Sequence, residues 1–141
     1  MNQSEEQYEK EYFMHLESER LKSFNNWPFD DACECVPEKM AAAGFYHCPT
    51  DQEPDAVCCF MCYKELDGWE PDDDPWKEHL KHSPQCPFLK LEGPLESLSV
   101  ERVMLLEMTR QKNKLKKIYE VKINELKEHA KHVREEMEHL M

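Results

Sequence analysis

The chain of 141 residues has a mass of 16.9 kDa, which allows one small domain with an appendage and excludes the large catalytic folds. Its formal net charge of −12 is unevenly distributed, because residues 1–98 carry 8 basic and 22 acidic side chains whereas residues 99–141 carry 10 and 8. An acidic domain repels phosphate groups, so the charge argues against sequence-specific nucleic-acid binding and favours a basic protein partner.

The sequence predicts an intracellular protein with no membrane partner. No stretch approaches the roughly 20 apolar residues of a membrane span, and the N-terminus lacks the basic and apolar regions of a secretory signal. In a reducing compartment, an odd number of cysteines, seven here, is typical of metal ligands and reduced thiols rather than disulfides.

All prolines, glycines, tryptophans and cysteines lie between Trp27 and Pro94, and this stretch is therefore predicted to be the globular domain. Before it, residues 1–17 are rich in Glu and are predicted to form a loosely docked N-terminal arm. After it, residues 99–141 contain neither Pro nor Gly and are predicted to form one long helix.

Within the globular stretch the sequence predicts short elements. Residues 37–43 suit a helix, with a proline at the start and a glycine after the end. Residues 56–63 and the segment around 66–69 suit two short strands joined by a turn. Asp74 and Pro75 are predicted to be the N-cap and the first residue of a further helix.

The long helix has a candidate N-cap in Ser97 or Ser99 and would extend roughly 65 Å, so most of it must project from the domain. Alternating spacings of three and four residues form a heptad seam in its second half, which predicts a multi-chain helical bundle, with packing back onto the domain as the alternative. The seam consists of Tyr119, Ile123, Leu126, Ala130, Val133, Met137 and Leu140.

Two further features of the helix concern its partners. The spacing of Leu115, Tyr119 and Ile123 is a stutter, which predicts that the partner surface turns there, and residues 103–108 are apolar nearly all round, which calls for burial on several sides. A basic stretch suits either nucleosomal DNA or acidic partners, or simply a solvated face. Its members are Arg110, Lys112, Lys114, Lys116, Lys117 and Lys122.

The strongest chemical signal is a closed set of candidate ligands for one structural Zn²⁺ ion. The set is Cys59, Cys62, His79 and Cys86. Two cysteines separated by two residues direct their thiolates at one ion, and three thiolates with one imidazole leave no open position for catalysis, so no enzyme is predicted. Spacing alone leaves Cys58 open in place of Cys59, and His82 in place of His79. The cysteines outside the metal set are predicted to be reduced thiols, namely Cys33, Cys35, Cys48 and Cys58.

Several motifs together carry a family resemblance. They are Arg20-x3-Phe24-x2-Trp27-Pro28-Phe29, Ala43-Gly44-Phe45, Asp55-x-Val57-x-Cys59-Phe60-x-Cys62, Leu66-x-Gly68-Trp69-Glu70-Pro71-x-Asp73-Asp74-Pro75-Trp76-x2-His79 and Cys86. Residues 18–90 thereby resemble the BIR domain of the inhibitor-of-apoptosis family. The resemblance implies an α+β fold in which short helices surround a short three-stranded antiparallel sheet, followed by a linker (91–98) that also serves dimerisation and by the long helix. It also implies that zinc is held by the four residues proposed above.

One BIR domain followed by a long helix, without a RING, resembles the single-BIR member of the family more than the multi-BIR caspase inhibitors. The resemblance implies a non-enzymatic, also anti-apoptotic subunit of the chromosomal passenger complex. There the helix would bundle with borealin and the inner centromere protein and so target Aurora B kinase to centromeres and later to the spindle midzone and midbody. The expected location is therefore nucleus and cytoplasm. Direct caspase inhibition is the alternative function.

An acidic run beside a tryptophan can bind an ammonium group or be only a solvated loop. The resemblance favours binding, because BIR domains bind free N-termini beginning with Ala, and the single-BIR member reads the histone H3 tail phosphorylated on its third residue, a threonine. Carried over residue by residue, Leu66 and Trp69 would hold the Ala methyl, Asp67 and Asp73 the amine, and Lys64 and His82 the phosphate.

The resemblance also implies a homodimer when the protein is free of partners. The matching interface positions are Tyr12, Leu95, Val100 and Val103. A nuclear export signal is an alternative interpretation of the same region, on the spacing of Leu91, Leu95, Leu98 and Val100.

Two positions depart from the family pattern: Val36 and Tyr119 stand where the family has regulatory threonines, so neither phosphorylation is expected here. Ser83-Pro84 is the one Ser/Thr-Pro pair of the sequence, and Ser83 is also interpreted as a helix-terminal serine.

Overall fold

The computed structural model describes residues 3–141, so the first two residues of the predicted arm lie outside the described residues. The architecture is α+β, as predicted. The elements in chain order are α1 (Gln3–Phe13), α2 (Glu17–Lys22), α3 (Pro37–Ala42), β1 (Phe45–His47), β2 (Val57–Cys59), β3 (Glu65–Leu66), α4 (Pro75–His82), two 3-10 helices (Pro87–Lys90 and Leu95–Ser97) and α5 (Val100–Leu140).

The three strands form one antiparallel sheet in the order β1-β2-β3, which confirms the three-stranded sheet. Phe45 pairs with Cys59 across β1 and β2, and Val57 pairs with Leu66 across β2 and β3. Every residue of β2 is buried, as expected for a central strand. Cys59 ends β2 and Cys62 lies in the turn from β2 to β3. The sheet therefore positions this pair of cysteines, which we call the knuckle.

The core surrounds this sheet. It includes fully buried Phe45 and Met40, with Phe24 and Trp27 packed against it from the N-terminal side. Gly44, between α3 and β1, has a φ of +94°, and a Cβ built there would lie 2.8 Å from the Phe88 ring. Only glycine fits this position, because a larger residue would be strained and would displace Phe88.

Helix starts follow the sequence signals closely. Asp74 caps α4 by accepting hydrogen bonds from the backbone N–H groups of Trp76 and Lys77, and Pro75 is the first helical residue. Ser99, one of the two candidate caps of α5, accepts from the N–H group of Arg102. In the part of the chain that the structure describes, no helix has the length and apolar character needed to cross a membrane.

The N-terminal arm lies on the surface of the domain, because no residue of its first helix is buried. Residues 3–13 form α1, and Glu11 of α1 forms an ion pair with Lys114 of α5. The Arg20 guanidinium, 2% exposed, donates hydrogen bonds to the carbonyl groups of Met14 and His15 and so fixes the segment after α1. Buried donors need acceptors, and the arm's backbone supplies them.

Helix α5 divides into two parts. We call residues 100–117 the docked segment and residues 118–140 the free segment. In the docked segment Leu106 is buried in the core and Arg110 is only 1% exposed. In the free segment nearly every residue is exposed. The helix therefore packs back onto the domain in its first part and projects in its second. The multi-chain bundle stays a prediction for the second part.

Candidate functional site

The four predicted metal ligands converge at one point. Cys59 ends β2, Cys62 lies in the following turn, His79 lies in α4, and Cys86 precedes the first 3-10 helix. Their ligand atoms all lie within 4.8 Å of one another, and three of the four residues are buried. The structure thus brings together residues from three separate parts of the domain into one site that can hold a metal ion.

The spacing of the ligand atoms fits a tetrahedral ion bound by thiolates and imidazole. With Zn–S bonds near 2.3 Å and a Zn–N bond near 2.0 Å, the edges of such a tetrahedron measure about 3.8 Å between sulfurs and about 3.5 Å between sulfur and nitrogen. Cys59 Sγ lies 3.8 Å from Cys86 Sγ, and Cys62 Sγ lies 3.6 Å from His79 Nε2. These two of the six separations therefore match a tetrahedral zinc ion, and all six are at most 4.8 Å.

Hydrogen bonds orient the ligands. His79 donates from Nδ1 to the carbonyl of Ala43 at 2.7 Å, which directs Nε2 at the cysteines, and the histidine is completely buried. The backbone N–H groups of Met61 and Cys62 point at Cys59 Sγ, at 3.3 and 3.5 Å. Donors of this kind stabilise a thiolate, which is the form that binds a metal.

When no cation is bound, ionisation of one cysteine thiol opposes ionisation of the other two. Burial raises the pKa of the Cys59 thiol well above its ordinary value. The hydrogen bond from Cys59 instead lowers the pKa of Cys62. Three negative charges at these distances repel strongly without a cation, so only a metal ion lets all three cysteines ionise together.

The structure decides between the competing ligand assignments. Cys58 lies outside the cluster, and its thiol donates to the carbonyl of Cys59. His82 also lies outside it, and its Nε2 is 3.3 Å from a carboxylate oxygen of Glu78. His79 and Cys59, rather than His82 and Cys58, are therefore the residues that belong to the cluster able to hold a metal ion. All seven cysteines are free thiols in the structure, which agrees with the predicted reduced state of the four that lie outside the metal set.

A second site, the acidic groove, lies between β3 and α4 and has a volume of about 200 Å³. Its lining residues are Leu66, Asp67, Gly68, Trp69, Asp73, Glu78 and His82. Five of the six predicted tail-binding residues are thus brought together. Lys64 does not line the groove. It lines a neighbouring cavity between the knuckle and α5.

The groove is lined mainly by polar groups, with three carboxylates beside Leu66 and Trp69. The N–H group of Trp69 donates to Asp55 at 2.8 Å and the N–H group of Glu70 donates to Asp73 at 2.8 Å, which together fix the loop. Among the described residues, Trp69 Nε1 is the one buried side-chain nitrogen or oxygen without a hydrogen-bond partner. Unsatisfied polar groups are costly and are concentrated at functional sites. Glu78 is a third groove carboxylate that sequence reasoning missed.

Three of the four predicted dimer residues border one apolar cavity of about 290 Å³. Tyr12, Leu95 and Val103 line it, whereas Val100 is 78% exposed and stands apart. The export-signal interpretation is disfavoured by the folded state. Its three leucines are half-buried and pack against the core, namely Leu91, Leu95 and Leu98.

Some of the remaining predicted residues are exposed to solvent, and others form ion pairs or hydrogen bonds within the chain. The heptad seam lies entirely on the free segment, where all members but half-buried Ile123 are exposed. The basic stretch is mostly engaged, since Lys114 and Lys117 form ion pairs with Glu11 and Glu65. Ser83 ends α4 and its N–H group donates to the carbonyl of His79, as expected for a helix-terminal serine.

Comparison with known proteins agrees with this site. Residues 20–90 match the family model described as BIR, the Inhibitor of Apoptosis domain. The chain is 49% identical over 127 residues to Baculoviral IAP repeat-containing protein 5 of Mus musculus, covering 90% of this chain and 91% of that protein. The protein of the same name from Rattus norvegicus is also 49% identical over 127 residues, covering 90% and 89%.

A solved structure, the crystal structure of DIAP1 BIR1 bound to a Grim peptide, is similar at 36% sequence identity. The matched region comprises 53% of this chain and 71% of the DIAP1 BIR1 chain, with a TM-score of 0.44.

A small sheet ringed by short helices around a Cys3His centre, together with the matched family model, defines a BIR protein, and the chain belongs to the inhibitor-of-apoptosis family. Its relatives named Baculoviral IAP repeat-containing protein 5 are survivin, which confirms the resemblance to the single-BIR member.

Proposed function

We propose that the protein is a non-enzymatic mitotic scaffold and reader. The BIR domain binds the histone H3 tail phosphorylated on its third residue, and α5 bundles with borealin and the inner centromere protein. Through this complex the protein brings Aurora B kinase to centromeres and later to the midzone and midbody, for chromosome segregation and cytokinesis. It also acts against apoptosis, resides in nucleus and cytoplasm, and forms a homodimer when free of partners.

The observation that carries the proposal is the acidic groove. A free α-amine is a cation that carboxylates stabilise, and Asp67, Asp73 and Glu78 are all among the residues that line the cleft. Leu66 and Trp69 are the two large apolar residues that line the cleft, and we assign the Ala methyl to them. A cleft of about 200 Å³ admits the first residues of a peptide terminus rather than a folded partner.

Zinc is the proposed occupant of the metal centre. The donor separations, the three soft thiolates and the buried histidine fit a structural zinc ion with four protein ligands. The ion would crosslink the β2 turn, α4 and the chain before the first 3-10 helix, and so would hold the groove between β3 and α4 in shape.

The free segment supports helical bundling. Leu126 is 55% exposed and Met137 60% exposed, although both occupy seam positions. Apolar residues repeating at heptad spacing are stable in water only when partner helices cover them. A projecting helix with an uncovered seam therefore fits a bundle with two partner chains.

Polar substitutions on the seam test this part. Leu126→Glu combined with Val133→Glu places two charges on the partner face, and we expect copurification of borealin and the inner centromere protein to be lost. The fold of the domain and its metal content should not change, because both positions lie beyond the docked segment. Glu128→Lys with Glu135→Lys, on the exposed face of the same segment that points away from the seam, is the matched control. Retained copurification with the first pair would contradict the proposed bundle.

Direct caspase inhibition is the outcome that would replace the scaffold function. Stoichiometric addition of the full chain to an active caspase should leave the rate of peptide cleavage unchanged. Strong inhibition at equimolar protein would show that the groove or its surroundings serve a protease instead.

A further inference from the structure

The docked segment of α5 holds the turn that carries Cys62. Asn113 donates from Nδ2 to the carbonyl of Met61 at 3.0 Å, and Lys117 donates from Nζ to the carbonyl of Tyr63 at 2.7 Å. Met61 and Tyr63 are the residues on either side of Cys62. The backbone around this ligand is therefore gripped from the helix, more than 50 residues away along the chain.

Arg110 anchors the same turn through a side chain. Its Nη1 donates to the hydroxyl of Tyr63 at 2.7 Å, and its other two nitrogens donate to Glu107 at 2.8 and 2.6 Å. Partial burial opposes ionisation of Glu107, but hydrogen bonds from Arg110 and Gln111 outweigh it and hold the pKa of Glu107 at about 2. The anchoring pair thus stays ionised at neutral pH.

The turn needs this support because its backbone is unusual. Tyr63 has a φ of +61°, in the left-handed region that residues with a side chain rarely adopt. Such a conformation persists only when the surroundings impose it. Within the turn itself, the N–H group of Tyr63 donates to the carbonyl of Cys59, while the carbonyls of Met61 and Tyr63 are satisfied by α5.

We infer that Asn113, Lys117 and Arg110 are positioning residues for the metal, so that release of the ion is controlled by docking of α5. The inference rests on the proposed metal centre and adds to it a unit that extends past the family domain, to Lys117. By linkage, any partner that holds the docked segment in place must raise metal affinity by the same factor that the metal raises partner affinity. The affinity of α5 for such a partner would then depend on whether the domain holds its metal ion.

The experiment measures metal release from the full-length protein. The zinc-loaded chain is mixed with an excess of a chromophoric chelator under conditions where it stays folded, and the release rate is recorded. Asn113→Asp keeps the shape of the side chain but removes the donor, and Lys117→Met removes the second donor. We expect each to release metal about tenfold faster, because a turn carbonyl loses its hydrogen bond. Lys117→Arg, which keeps a cationic donor, should stay near the wild-type rate.

Two controls separate positioning from loss of stability. Lys112 lies on the same helix and forms no hydrogen bond or ion pair with the described residues. The Lys112→Gln variant should therefore release metal at the wild-type rate. Phe24→Leu weakens packing against Trp27 and His47 instead. It should lower the free energy of unfolding without changing the visible spectrum of the Co²⁺-substituted protein, whereas Asn113→Asp and Lys117→Met should alter that spectrum.

Equal release rates in wild type, Asn113→Asp and Lys117→Met would overturn the inference while leaving the metal centre intact. So would acceleration no greater than that of Phe24→Leu at matched stability. A wild-type chain that binds no zinc would instead refute the proposed metal centre itself. If Asn113→Asp does not fold, Lys117→Met and its arginine counterpart decide the question.

Discussion

Replacing Cys59 by serine, or His79 by alanine, is expected to unfold residues 18–90 and to release the docked segment of α5. Both ligands are completely buried, and each belongs to a different element, so losing either leaves three ligand groups without a common ion. Addition of a strong chelator to the wild-type protein should have the same effect.

The size of the effect follows from the small core. A domain of about 70 residues rarely gains more than roughly 3–5 kcal/mol from its core alone. A structural zinc ion contributes on the order of 10 kcal/mol at neutral pH in comparable small domains. Without the ion, the buried and mutually repelling thiols also oppose folding, since burial raises the pKa of Cys59. The unfolded state should therefore dominate.

Proton NMR spectra and zinc content of the full-length variants provide the measurement. Cys58→Ser is the matched control, because Cys58 is adjacent in sequence and buried but lies outside the metal cluster. His82→Ala is the second control, on the same helix as His79. Both should keep zinc and a dispersed spectrum. A dispersed spectrum from the metal-free wild type would contradict the prediction, and loss of zinc from His82→Ala would show that the ligand assignment is wrong.

The metal ligands and helix starts could be predicted because their signals are local. Two cysteines three positions apart, an Asp-Pro helix start and a Ser cap depend on neighbouring residues only. Choosing His79 over His82 was beyond such reasoning. The two histidines lie one turn apart on α4, and what separates them is the carbonyl of Ala43, which orients His79 from another element.

Docking of α5 was only an alternative at the level of sequence, because the contacts that fix it are polar and join distant parts of the chain. In the sequence, Arg110 is one of several basic residues in a stretch, and nothing distinguishes it from its neighbours. In the structure it is buried, and its guanidinium forms a hydrogen bond to Tyr63 and an ion pair with Glu107. A buried charge is stable only with such partners, and spacing does not reveal them.

The stutter in the helix has a structural counterpart. The docked segment ends at Lys117, between Leu115 and Tyr119, where the 4, 4 spacing predicts a change of the presented face. Up to that point one face of α5 packs against the domain, and beyond it the seam is exposed to solvent. A change in hydrophobic period thus coincides with the end of the surface that packs against the protein's own domain.

For the proposed histone reader, a peptide beginning Ala-Arg-Thr-Lys should bind the acidic groove through its free amine, and acetylating that amine should abolish most of the affinity. Acetylation removes the cation that Asp67, Asp73 and Glu78 surround and adds bulk in a cleft of about 200 Å³. Asp67→Asn should weaken binding of the free peptide, whereas Asp72→Asn, an exposed acid of the same loop outside the groove lining, should not.

Phosphorylating the threonine should strengthen binding about tenfold or more, because one charge-assisted hydrogen bond contributes roughly 1.5–3 kcal/mol before desolvation is discounted. His82 lines the groove and Lys64 lies outside it, so His82→Ala should remove more of the phosphate preference than Lys64→Ala, and neither should lose zinc. Calorimetric titration of the four peptides, phosphorylated or not and with the amine free or acetylated, measures each contribution. Equal affinity for free and acetylated peptides would mean that the carboxylates form only a solvated loop, and the histone-reading function would be wrong even if the metal centre and the helical bundle are right.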